Sequence, residues 1–197
     1  MKENRKLILI AVSLVLVLLI ATLSYNYIKG AYDENDSVSS KQSTSSESNA
    51  DTTSAELVKA PDFEIYNENG EVVKLSQFIG KPVIINFWAS WCGPCKSEMP
   101  VFEKIYKELG DEVVFLMVNL TDGAKETKES AKKYINESGF TFPIYYDSEM
   151  NVATVYGVYS IPTTLFVDSE GNIRDGKLGA LTETEFKLKL SSIYKSN

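Results

Sequence analysis

Between Pro82 and Leu109 the chain passes from a nearly unbroken apolar stretch, Val83-Ile84-Ile85-Asn86-Phe87-Trp88, through Trp91-Cys92-Gly93-Pro94-Cys95-Lys96, into the stripe Met99, Phe102, Tyr106 and Leu109. An apolar run of this kind suits a strand buried on both faces, and such a strand needs cover on both sides of its sheet. The stripe is spaced for one face of a helix, and Gly110 supplies its stop. The only two cysteines of the 197 residues therefore fall at a strand-to-helix junction. Sulfurs three residues apart can close a disulfide and reopen it without unfolding the chain.

The remaining pattern agrees with one domain over residues 60–197. Phe63-Glu64-Ile65-Tyr66 and Val72-Val73-Lys74-Leu75 flank the turn signal Asn69-Gly70 and predict a hairpin. Further strands are expected at Val113–Val118, Phe142–Tyr146, Thr163–Val167 and Ile173–Leu178, with helices at Lys125–Ser138, around Ser148–Tyr156, and at Thr182–Tyr194. Alternation of strands and helices predicts an α/β fold with a parallel component. The turn Asp168-Ser169-Glu170-Gly171 makes the last two strands a hairpin, so the sheet should be mixed.

Ahead of the domain lie two segments of different character. Residues 1–6 carry Lys2, Arg5 and Lys6 against Glu3, and residues 7–28 carry no charge. As a helix that run would span about 33 Å, enough for a hydrocarbon core of roughly 30 Å. Its length and the lack of a small-x-small cleavage site favour an uncleaved transmembrane anchor over a cleaved signal peptide. The basic end then belongs in the cytoplasm and everything after it outside, where disulfides persist. Residues 29–59, dominated by Ser, Thr and acidic side chains, predict a disordered tether.

Composition closes several routes. A formal charge of −7 repels phosphate backbones, which argues against nucleic acid as a partner. Histidine is absent, so two cysteines cannot be completed to a four-ligand zinc site; neither metal nor another cofactor is expected. A carboxylate becomes the natural general base, and Glu98, three residues after Cys95, shares its helical face. The alternative for Glu98 is a solvated carboxylate favoured by the helix dipole. A C-x-x-C alone is weak, but a structural disulfide closing so short a loop adds little stability. The strand before and helix after instead suit a reactive pair. The helix N-terminus stabilises a Cys92 thiolate, which attacks a substrate disulfide; Cys95, one turn inward, resolves the adduct. Gly93 leaves room for a partner backbone, and Pro94 tolerates a first helical turn.

Asn86-Phe87-Trp88-Ala89-Ser90-Trp91-Cys92-Gly93-Pro94-Cys95-Lys96 resembles the thioredoxin active-site signature, and Ser160-Ile161-Pro162-Thr163-Thr164 resembles its cis-proline loop. Two features narrow the resemblance to the extracytoplasmic TlpA/ResA-type thiol-disulfide oxidoreductases. One is an opening hairpin, Ala60-Pro61-Asp62-Phe63 through Gly80-Lys81-Pro82, of the kind shared with peroxiredoxins (AhpC/TSA-like). The other is a helix–strand insertion at roughly 125–146. The resemblance covers about residues 60–195. It implies a thioredoxin-like fold with a central mixed sheet flanked by helices, and a Cys92–Cys95 disulfide. It also implies a cis Ile161-Pro162 bond opposite that pair, and a substrate surface formed by Trp91, Gly93, Pro94, Ile161 and Pro162. The ordinary alternative for Pro162 is a strand-start proline. Glu98 matches a glutamate that in this family tunes the cysteines and assists proton transfer. Asn86 departs from cytoplasmic thioredoxins, which carry a titrating aspartate there; Asn86 is either a core amide or a sign that the proton role has moved to Glu98.

By that resemblance the chain is expected to reduce disulfides in extracytoplasmic proteins, as in cytochrome c maturation, with electrons from an integral membrane carrier. The alternatives are a thiol oxidase, a thiol peroxidase, and a non-catalytic binding module. The peroxidase is disfavoured by the C-x-x-C context of Cys92, and the binding module by the intact pair.

Overall fold

The structure is a computed structural model and describes residues Leu18–Ile20, Thr22 and Leu57–Lys195. The first four of these are helical. The expected anchor at 7–28 otherwise lies outside the described residues, as does the tether through residue 56. Among the described residues no helix is long and apolar enough to cross a membrane.

An eight-stranded sheet organises the domain. In chain order the strands are β1 (Val58–Lys59), β2 (Glu64–Tyr66), β3 (Val72–Lys74), β4 (Val83–Trp88), β5 (Val114–Asn119), β6 (Ile144–Tyr146), β7 (Thr163–Val167) and β8 (Asn172–Leu178). The helices are α1 (Gly93–Leu109), α2 (Lys128–Ser138), α3 (Asn151–Val155) and α4 (Glu183–Leu190), with a 3-10 turn at Leu75–Phe78. The order across the sheet is β1-β8-β7-β4-β5-β6-β2-β3. Strand β4 runs parallel to β5 and antiparallel to β7, and β5 is parallel to β6, so the sheet is mixed as expected.

The apolar run of β4 divides between two cores. Ile84 and Trp88 point into one with Met99 and Phe102 of α1 and Phe186 of α4, whereas Val83, Ile85 and Phe87 point into the other with Val152 of α3. Strand β5 splits the same way, Phe115 and Met117 against Leu116 and Val118. Period-two alternation between two apolar environments is why both strands read as unbroken hydrophobic runs. In the first core Phe186 meets Phe102 edge-on at 4.9 Å and Phe166 at 5.6 Å, geometries that add to area burial.

Several boundaries differ from expectation. Strand β6 starts at Ile144 rather than Phe142, and α3 is confined to Asn151–Val155. Val58 and Lys59, placed in the tether by their polar surroundings, pair with Ile173 and Asn172 and form the sheet edge beyond β8. Two residues give too short a pattern to read as a strand; their partner lies more than a hundred positions away. Helix α2 starts at Lys128 because Thr127 caps it, its side chain accepting from the Ser130 amide, and the preceding residues form a separate turn on Asp122. Helix α4 ends at Leu190, short of the expected Tyr194. The hairpin forms around Asn67, whose side-chain oxygen accepts from the Asn69 and Glu71 amides.

Gly139 ends α2 with φ of 70°, a conformation disfavoured by about 1–2 kcal/mol once a Cβ is present. Nothing lies within 4 Å of the position that Cβ would take, so backbone strain alone sets the penalty. Gly139→Ala should lower stability by about 1 kcal/mol, read as a lower urea midpoint with an unchanged slope.

Candidate active site

Strand β4 ends at Trp88, and a turn closed by the Cys92 amide on the Ala89 carbonyl (3.1 Å) delivers Cys92 to the N-cap of α1. Pro94 lies in the first helical turn, where no intrahelical donor is needed. Cys92 and Cys95 form a disulfide with Cα atoms 5.3 Å apart. The Cys95 amide donates to Cys92 Sγ at 3.2 Å. In the reduced state that donor and the helix dipole favour a thiolate on Cys92. Cys95 is fully buried and Cys92 nearly so, whereas Trp91, Gly93 and Pro94 between and before them are exposed.

The Ile161-Pro162 bond is cis, and the Ile161 carbonyl oxygen lies 3.8 Å from Cys92 Sγ. The structure thus brings Cys92, Cys95, Trp91 and the Ile161-Pro162 loop close together. A groove of about 210 Å³ runs beside them, lined by Trp91, Leu120, Met150, Val158, Tyr159 and Ile161.

Glu98 is not a solvated carboxylate. It is 1% exposed, on the face of α1 turned toward β4. Its Oε1 accepts from Asn86 Nδ2 at 2.8 Å and its Oε2 from the Leu181 amide at 2.8 Å. Burial pushes its pKa up to about 7, against the opposing pull of those two hydrogen bonds. Asn86 also donates to Thr164 Oγ1 at 3.0 Å. One amide therefore ties β4, the active-site helix and the strand after the cis-proline together. Asn86 is a fully buried core amide that donates to the Glu98 carboxyl group. Trp88 belongs to the core and Trp91 to the surface; Tyr156 is only partly buried, its hydroxyl donating to the Pro61 carbonyl.

Sequence reasoning missed Glu126. It is 0% exposed and accepts from the Ser90 amide, the Ser90 hydroxyl and Asn119 Nδ2 at 2.7 to 2.9 Å. Within a run rich in Lys and Glu it carries no mark that distinguishes it from surface charge. Among the described residues no group of acidic and cysteine side chains could hold a metal ion.

A Cys-x-x-Cys disulfide at a helix N-terminus, facing a cis-proline in a thioredoxin-like sheet, defines a thiol–disulfide oxidoreductase. Comparisons with known proteins agree. The AhpC/TSA family model matches residues 58–175. The thioredoxin-like protein YneN of Bacillus subtilis is 39% identical over 132 residues, 67% of this chain and 76% of YneN. The thiol-disulfide oxidoreductase ResA of Geobacillus thermodenitrificans is 31% identical over 196 residues, 98% of this chain and 99% of that protein. The crystal structure of StoA from Bacillus subtilis superposes with a TM-score of 0.57 at 30% identity, over 66% of this chain and 96% of StoA. The chain belongs to the AhpC/TSA family and, within it, to the TlpA/ResA-type thiol-disulfide oxidoreductases.

Proposed function

We propose that the protein is a membrane-anchored reductase of disulfides in extracytoplasmic proteins, with apocytochrome c among the substrates. The observation that carries the chemistry is the Cys92–Cys95 disulfide on the first turn of α1 with the Ile161 carbonyl 3.8 Å from Cys92 Sγ. In the reduced protein the Cys92 thiolate attacks one sulfur of the substrate disulfide. That S–S bond breaks, its other sulfur leaves as a thiolate and takes up a proton, and a mixed disulfide forms. Cys95 then gives up its proton and attacks Cys92 Sγ, releasing the second substrate thiol. Two electrons pass to the substrate, and the pair ends as the disulfide. Glu98, buried on the Cys95 side of the helix and titrating near neutrality, is suited to take the Cys95 proton. An extended substrate segment lies along Ile161, with Trp91, Gly93, Pro94 and Pro162 forming the rest of its surface.

The uncharged run at 7–28 is long enough to anchor the chain, and the ResA relative aligns along nearly all of it, N-terminal segment included. A dithiol donor must restore the pair, and for an extracytoplasmic domain an integral membrane carrier fits that need. Protease added to intact protoplasts should remove the domain while leaving an N-terminal membrane fragment.

Direction of electron flow rests on reduction potential. Gly93-Pro94 between the cysteines matches the reducing end of the scale, near −270 mV. Equilibration of the purified domain with glutathione redox buffers should place the pair at about that potential. A value near −120 mV would instead assign a thiol oxidase.

A further inference from the structure

The turn at 122–126 takes no part in the exchange steps described above, although Asp122 also lines the groove beside the pair, and it grips the residues that deliver Cys92 from two sides. Asp122 Oδ1 accepts from the amides of Ala124, Lys125 and Glu126 at 2.8 to 2.9 Å, which fixes the turn. On its inner side Glu126 Oε1 accepts from the Ser90 amide (2.9 Å) and Asn119 Nδ2 (2.7 Å), and Oε2 accepts from the Ser90 hydroxyl (2.7 Å). On its outer side Lys125 Nζ lies 3.4 Å from the centre of the Trp91 ring. Ser90 and Trp91 are the two central residues of the turn closed by Cys92 N–H on Ala89 O. Asn119 ends β5 opposite Trp88, and its own Oδ1 accepts from Thr121 Oγ1 at 2.8 Å. The rigid end of the sheet is therefore wired through one carboxyl group to the turn that sets the helix start.

A fully buried carboxyl side chain is expensive to desolvate and is retained only where its hydrogen bonds are complete. Here every named contact serves the turn before Cys92 or the strand end that braces it. We infer that Glu126 is a positioning residue for Cys92: it holds the Ser90–Trp91 turn so that Cys92 Sγ sits on the N-terminus of α1. This rests on Cys92 being the attacking sulfur. The work is done by hydrogen-bond geometry. A glutamine can keep all three contacts, Oε1 accepting from Ser90 N–H and Asn119 Nδ2 while Nε2 donates to Ser90 Oγ.

The test uses the full chain with Cys95→Ser, so that only Cys92 reacts, and follows the rate of iodoacetamide alkylation against pH. Adding Glu126→Ala should slow alkylation at pH 7 at least tenfold and move the profile toward that of an ordinary thiol. Adding Glu126→Gln should leave rate and profile within twofold of the parent. Ser90→Ala, which removes only the Oγ contact, should slow the reaction about threefold and serves if the alanine variant does not fold. The inference is overturned if Glu126→Ala keeps the parent's profile whatever its melting temperature. It is equally overturned if Glu126→Gln shifts the profile as far as alanine does, or, where Glu126→Ala does not fold, if Ser90→Ala leaves it unmoved. A parent that already titrates as an ordinary thiol would instead count against Cys92 as the attacking sulfur.

Discussion

With Cys95→Ser, turnover should stop at the mixed disulfide, and Cys92 should accumulate covalently bound partners that a reductant releases. Cys92 and Cys95 are the only two cysteines of the chain, so with Cys95 replaced no second thiol remains to resolve the adduct on Cys92. Disulfide reduction should fall by about 10³-fold or more, or about 4 kcal/mol in transition-state terms. Cys92→Ser should lose as much activity and capture nothing. The double variant should be no worse than either single one, because the two sulfurs act as a unit. Mass spectrometry of adducts from cells expressing the full chain reads the result. Partners drawn from extracytoplasmic disulfide proteins support the proposed reductase; an adduct that forms equally well in Cys92→Ser would refute Cys92 as the attacking sulfur.

Glu98 should make the oxidised protein less stable as pH rises. Its carboxyl titrates near 4.5 in the unfolded chain and at about 7 in the fold. Below 4.5 both states are protonated and the group has no effect. Between those values the unfolded chain releases its proton first, so folding is progressively disfavoured, and above 7 the loss is complete. At about 1.4 kcal/mol per tenfold in proton affinity, the difference amounts to about 3 kcal/mol. Glu98→Gln should abolish that slope. It should also lie lower at acidic pH, since a glutamine that keeps Asn86 as donor turns its own amide toward the Leu181 N–H and leaves that group unpaired, at about 1–3 kcal/mol. Urea unfolding at pH 4.5, 6 and 8 measures both effects, and a slope that survives in Glu98→Gln would sink the assignment. In the reduced protein the same variant should shift the cysteine titration and slow release of Cys92 from its adduct.

Much of the fold was legible because its signals are local. The continuous apolar character of Val83–Trp88 reports burial on both faces whatever lies on those faces, and the stripe from Met99 to Leu109 reports one covered side of a helix. Gly139 marks the end of α2 by its own backbone preference. Val58 and Lys59 were not legible, because a two-residue strand has no period and its existence depends on Ile173 and Asn172. The carboxylates failed as signals for a related reason. Glu, Lys and Asp read as surface by default, and nothing in the run from Lys125 to Glu129 separates Glu126 from its exposed neighbours. Glu98 could be placed on the Cys95 side of the helix by spacing, but spacing does not say whether that side meets water or a sheet.

The sequence by itself determined the reactive pair, its seat at a strand-to-helix junction and the α/β alternation around it, since each depends on residues within a turn or two of one another. Only the tertiary structure decided what surrounds the pair. Strand β7 brings Ile161-Pro162 against Cys92, and β4 and the Leu181 loop enclose Glu98 in a setting where its proton is held to about pH 7. The turn at 122–126 closes on Ser90 and Trp91 from inside and out. Those environments are sums over segments distant in the chain. Burial and hydrogen-bond donors, not residue identity, set the charge state of a carboxyl group.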